Sequence, residues 1–132
     1  MNRMAALRAY QKVGAQAQTS EASPHRLVQM LMEGGLDRIA QAKGAMNRGD
    51  VAAKGMFIGK AIAIVGGLRE GLDPDKSDAS LADLDNLYHY MMKRLAEANV
   101  KNDVRMLDEV VGLLQTVKEG WDAIGQQPAV TL

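Results

Sequence analysis

The feature that most constrains this chain is a helical period, repeated in four stretches and interrupted by turn chemistry. Its clearest instance is Leu81, Leu84, Tyr88, Met91, Leu95 and Ala98, where steps of three and four residues follow one another. That spacing returns side chains to one face of a helix; a strand would alternate at every second residue. A neighbouring stretch repeats the pattern with Val104, Leu107, Val111, Leu114 and Trp121, and adds Val110, Val117 and Ile124. Upstream, Leu27, Val28, Leu31, Met32, Ile39 and Ala42 mark a helix from Pro24 to about Met46. Phe57, Ile58, Ala61, Ile64, Val65, Leu68 and Leu72 mark another from about Val51 to Leu72.

The breaks carry their own signals. Ser23-Pro24 is an N-cap followed by proline at the first helical position. Asn47-Arg48-Gly49-Asp50 combines a helix end, a turn glycine and a new N-cap. Residues 73–78 form a polar loop, Ser80 with Asp83 resembles a capping box, and Asn99 to Asp103 is a further short break. Polar connections of roughly 4–8 residues favour antiparallel neighbours. The expected fold is all-α: an antiparallel four-helix bundle with a short extra N-terminal helical segment. Residues 23–125 form the bundle, 1–22 a mobile segment able to dock on it, and 126–132 a disordered tail.

Composition narrows the function. Lys plus Arg and Asp plus Glu both number 16, so the chain lacks the net positive charge of a nucleic-acid binder. With no cysteine, disulfides, thiolate metal sites and cysteine nucleophiles are excluded together. Met56 to Leu68 is the most apolar stretch, but Lys60 and several glycines interrupt it, and neither a membrane span nor a secretion signal is expected. The expected location is the cytoplasm.

Three features exceed what a bundle interior needs. The fourth helix is apolar over roughly half its circumference, against the ~100° or more of an ordinary surface helix. Met106, Leu113, Val117 and Ile124 form one shoulder; Val104, Leu107 and Val111 close the other. Either this helix sits deep between two others, or one shoulder faces a partner. The second helix carries small residues at four-residue steps, Gly55, Gly59, Ala63, Gly67 and Gly71. Each interior glycine costs about 0.8–1 kcal/mol relative to alanine, so close approach of another backbone should offset the loss. That backbone belongs either to a tightly packed internal helix or to a partner. Near the N-terminus, Met4, Leu7, Tyr10 and Val13 form an apolar segment too short to be a stable isolated helix.

Little in the chain could perform catalysis, and no enzyme, cofactor or metal is expected. The only histidines are His25 and His89, and the Glu-x-x-His pairs of a di-iron bundle are absent. Asp85 and His89, four apart, form a helical surface pair. A histidine phosphotransfer bundle would use His89, but Lys93 stands at the fourth following position, where that pattern places glycine. A self-assembling structural bundle, with the glycine ladder packed on its own copy, is the other alternative.

The sequence also resembles the bacterial flagellar secretion chaperone that binds flagellin. The resemblance rests on Tyr10; Ser23-Pro24 with Leu27 and Leu31; Lys60-Ala61 with Ile64 and Leu68; Leu72-Asp73; and Leu84. It continues through Leu87-Tyr88-His89-Tyr90-Met91, Leu95, Ala98-Asn99, Asp103, Leu107, Val110, Leu113-Leu114 and Trp121. His89 stands where an acidic residue is usual. The resemblance implies a helical bundle that binds the disordered C-terminal segment of flagellin, blocks premature polymerisation and delivers the subunit to the flagellar type III export machinery. Other flagellar proteins are possible further partners, and the free chain would be a monomer or homodimer. It also implies that Leu7 and Tyr10 cover or help form the binding groove. Joined to the apolar surplus, this makes Leu7, Tyr10, Gly59, Ala63, Tyr90, Met106, Leu113 and Val117 the candidate partner-binding residues. Tyr90 is included because it falls off the main stripe of its helix, and Met30, Met92 and Met106 could give an adaptable surface or fill the core.

Overall fold

The computed structural model describes residues 23–72 and 79–125. They form four helices: α1 (Pro24–Arg48), α2 (Val51–Glu70), α3 (Ala79–Lys101) and α4 (Val104–Gly125). No strand occurs among the described residues. The helices pack in a ring, α1 on α2, α2 on α3, α3 on α4 and α4 back on α1. Two-residue turns join α1 to α2 and α3 to α4, and contacts run in opposite senses along the other two pairs: Gln29 meets Asp122 while Lys43 meets Asp108, and Lys54 meets Asn99 while Arg69 meets Asp85. The bundle is therefore antiparallel throughout.

Local chemistry sets the helix ends. The Ser23 side chain accepts the Arg26 amide at 3.1 Å, and Pro24 occupies the first turn, where its missing N–H costs nothing. Gly49 ends α1 at φ 72°, a left-handed conformation that a residue without a Cβ adopts at least cost, and Asp50 then caps α2 through the Ala53 amide at 3.1 Å. Asn102 ends α3 in the same region, at φ 51°. The Asp103 carboxylate accepts the Arg105 amide at 2.9 Å to open α4. These two connections, Gly49-Asp50 and Asn102-Asp103, are shorter than expected, because α1 continues to Arg48 and α3 to Lys101. In addition, α3 begins at Ala79, so Ser80 lies inside the first turn and is not its cap.

The centre of the ring is aliphatic. Ile39, Ile58, Val65, Met91, Leu95, Leu107, Val110 and Leu114 are essentially inaccessible to solvent, joined by Ala42, Ala61 and Ala98 where helices approach closely. The α3 register is as the periodicity predicts: Tyr88, Met91, Leu95 and Ala98 are buried and Leu84 packs against them. On α4 the innermost line is Leu107, Val110 and Leu114, while Val111 is half-buried. Met30 and Met32 belong to the core, so Met30 is not part of an adaptable surface. By length and composition α2 does reach the threshold for a membrane span, contrary to expectation, since its alanines and glycines do not lower the average as charges would. It nonetheless packs as one wall of the bundle, with Ile58, Ala61, Val65 and Leu68 inside.

Carboxylates bridge the helices at the surface. The Arg69 hydrogen bond holds the Asp85 carboxyl below its ordinary value of 3.8. Tyr90, then Arg94, lower Glu109 from 4.5, while Lys118, then Gln29, lower Asp122 from 3.8. A folded-state value below the unfolded one means that the unfolded chain binds more protons in acid. The resulting stability is present above the unfolded values and is lost as pH falls through the folded ones. The urea midpoint should therefore hold steady where these carboxylates are ionised and decline below about pH 5. A midpoint still level at about pH 3 would show that these bridges contribute nothing.

Candidate functional site

The two flanks of α4 are built differently. The flank toward α1 is closed by polar contacts: Gln29 donates to Asp122 at 2.7 Å, Lys118 to Asp122 at 2.8 Å, and Lys43 pairs with Asp108. Trp121 completes this side, its indole N–H donating to the His25 carbonyl at 2.9 Å and its ring stacked on His25 at 4.8 Å. The flank toward α3 is bridged through Glu109. Glu109 accepts the Tyr90 hydroxyl and the Arg94 Nε, each at 2.7 Å. The Glu109 hydrogen bond holds the Tyr90 phenol above its ordinary value.

Glu109 locates the apolar shoulder. Leu113 and Val117 follow it at four-residue steps and Met106 precedes it by three, so all share its side of the helix. All three pack against the core and, like Val111, are half-buried rather than sealed. Ile124 continues the line at 57% exposure, and Tyr90, at 39%, faces it from α3. The structure thus gathers Tyr90, Met106, Leu113 and Val117 along the α3–α4 groove. The shoulder is not sealed inside the bundle, and the deep-groove reading of α4 does not account for it.

Gly59 and Ala63 lie elsewhere. Both are exposed on α2, and no described atom lies within 4 Å of where a Gly59 Cβ would stand. The ladder is not one seam. Four residues turn a helix by about 400°, so each step drifts about 40° around the axis. Gly55 lies beside Asn99 of α3, Gly59 and Ala63 turn outward, and Gly67 is buried. Tight internal packing involves other glycines: a Cβ on Gly35 would come within 3.3 Å of Leu114 Cδ2, and one on Gly66 within 3.3 Å of Met92 Cε. Gly59→Ala should therefore raise stability by about 0.8–1 kcal/mol, read from urea unfolding. A loss of stability would show that the position is crowded.

His89 is exposed, with Nδ1 3.4 Å from Arg69 Nη1, and Arg69 itself forks onto Asp85 at 2.8 and 3.3 Å. Among the described residues, no cluster of His, Asp and Glu could hold a metal ion. Leu7 and Tyr10 lie outside the described residues, as do the loop at 73–78 and the tail at 126–132.

The sequence profile of the family described as Flagellar protein FliS matches residues 6–128. The chain belongs to the FliS family. It is 55% identical to the flagellar secretion chaperone FliSB of Pseudomonas aeruginosa, over 94% of this chain and 98% of that protein. It is 42% identical to the flagellar secretion chaperone FliS of Vibrio cholerae, over 89% of this chain and 87% of the other. Similarity extends to the Bacillus subtilis flagellar secretion chaperone FliS, at 34% identity over 80% of this chain and 78% of that one. Membership in the FliS family assigns an export-chaperone role in flagellum biogenesis and explains a fold whose surplus is apolar surface instead of chemistry.

One functional-looking residue escaped the sequence reading. Lys54 is buried, at 7% exposure, and its ammonium donates to the Asn99 carbonyl at 3.0 Å and to Asn102 Oδ1 at 3.1 Å. It ties the start of α2 to the turn between α3 and α4. Its place one turn before Ile58, on the buried side of α2, was the available signal.

Proposed function

We propose that this FliS-family protein is a cytosolic chaperone that holds the C-terminal segment of flagellin, blocks its premature polymerisation and delivers it to the flagellar type III export apparatus. The observation that carries this reading is the half-open apolar line of Met106, Leu113, Val117 and Ile124 beside Tyr90. A disordered amphipathic segment becomes helical when such a surface covers its apolar face. The exposed Gly59 and Ala63 offer a second place where a client backbone could approach closely, consistent with a segment that wraps the bundle.

In this account Leu7 and Tyr10 shield the groove when no client is present. A cover lowers apparent affinity by the fraction of molecules that are uncovered, and it hides apolar surface that would promote aggregation. Export-apparatus components and other flagellar proteins are the further partners, and the free chain is a monomer or homodimer. Titrating a flagellin C-terminal peptide into the full chain, with calorimetry and circular dichroism, tests the core of the proposal. Saturable binding with a gain of helix is expected; equal binding of a shuffled peptide would contradict it.

A further inference from the structure

The bundle end that carries both two-residue turns contains an open pocket of about 240 Å³, bordered by Ala45, Met46, Asp50, Val51, Lys54 and Asn102. It is remote in kind from the α3–α4 groove, because its polar groups come in an opposed pair. Lys54 supplies a buried ammonium whose two bonds to the α3–α4 turn leave one N–H without a partner among the described residues. Asp50 supplies a carboxylate that spends one oxygen capping α2, and no described residue bonds the other. Both residues line the same pocket, yet no ion pair joins them.

A buried ammonium ordinarily acquires a counter-charge or a full set of hydrogen bonds. Lys54 has two neutral oxygens, at the C-terminal end of α3 where the helix dipole is favourable to a cation. A wholly anionic guest would satisfy it but would be set against Asp50. A cation would meet the reverse conflict. The guest that suits both offers one acceptor and one donor on the same carbon, with an apolar stem for Ala45, Met46 and Val51. Aliphatic surface is open at the mouth: Val51, which lines the pocket, is 71% exposed. Isolated apolar side chains are common on surfaces, but Val51 borders a pocket that also holds polar groups.

We infer that this pocket receives a primary carboxamide, the side chain of a glutamine or asparagine on a partner polypeptide. Its carbonyl oxygen accepts from Lys54, its amide nitrogen donates to Asp50, and the partner's neighbouring apolar residue rests on Val51. This docking point lies at the end of the bundle and does not compete with a client in the α3–α4 groove.

The test uses the full chain, isotope-labelled, with butyramide as the probe and butyrate and butylammonium as matched controls. Amide signals of Gly49, Val51 and Asn102 report occupancy. Saturable shifts with butyramide are expected, with each control weaker by roughly fivefold, the equivalent of about one net hydrogen bond. Asp50→Asn keeps an effective helix cap while replacing the pocket acceptor with a donor. It should weaken butyramide roughly fivefold and bring butyrate level with it or ahead. Lys54→Met, checked for folding by its thermal transition, should abolish the difference between amide and amine. Absence of saturable butyramide shifts, equal or tighter binding of butyrate by the unaltered chain, or an Asp50→Asn variant that binds butyramide as before would each overturn the assignment.

Discussion

The double replacement Tyr90→Ala with Leu113→Ala should leave the bundle folded and weaken its hold on a flagellin C-terminal peptide about a hundredfold, each central anchor contributing about 1.4 kcal/mol, or tenfold. Both residues have solvent-facing surface in the free protein, so neither truncation opens a cavity at the centre of the ring. Tyr90 presents its ring beside the α4 shoulder while Glu109 fixes its hydroxyl at 2.7 Å, a preorganised anchor that loses little freedom on binding. Val111→Ala provides the control. Val111 is also half-buried on α4 but lies on the opposite flank, toward α1, and its truncation should change peptide affinity by no more than about twofold. Calorimetry reads the affinities and thermal unfolding confirms the fold. Equal losses from both variants would mean that the peptide does not distinguish the flanks of α4.

The largest effect on stability is expected at Leu95. It is fully buried between Met91 and Ala98 on α3, in the cluster that also holds Ile58, Leu107 and Leu114. Leu95→Ala removes apolar contact and leaves a void that rigid helices only partly fill, at a cost of about 2–5 kcal/mol. That is a large share of the stability of a domain this size. Val100→Ala, five residues away on the same helix but exposed, should stay within about 0.5 kcal/mol. Urea unfolding of the two variants measures the contrast directly. Similar midpoints would show that the α3 register is wrong.

Much of this fold can be read from local chemistry. Ser23-Pro24 and Gly49-Asp50 define helix ends through hydrogen bonds and a positive φ, which depend on residues close in sequence. The α3 register is legible because Tyr88, Met91, Leu95 and Ala98 repeat at helical steps. Lys54 is not legible in this way. Its burial depends on a carbonyl and a side chain 45 and 48 residues distant, and a lysine on a core stripe reads only as an interruption. The α2 ladder misleads for a geometric reason. Its four-residue steps drift around the helix, so Gly55 and Gly67 end up in different surroundings although the letters look like one seam.

The candidate groove was legible in outline. Periodicity separates the buried Leu107, Val110 and Leu114 from the wider apolar shoulder, but it does not say which neighbour that shoulder meets. The bridge from Glu109 to Tyr90 and Arg94 supplies the answer, because it fixes the rotation of α4 against α3. Gly59 and Ala63, proposed with these residues from the same sequence, lie on α2 and would have to contact a different part of a client. The chaperone role itself came from resemblance and family membership. A four-helix bundle alone is compatible with many functions.

The most direct test is an amide chemical-shift map of the labelled full chain with and without a flagellin C-terminal peptide. The account predicts the largest changes at Tyr90, Met106, Leu113 and Val117, with Gln29, Lys43 and Asp108 on the α1–α4 side left unperturbed. Changes confined to that α1–α4 side, or a peptide that binds while the Tyr90 and Leu113 signals stay fixed, would contradict it.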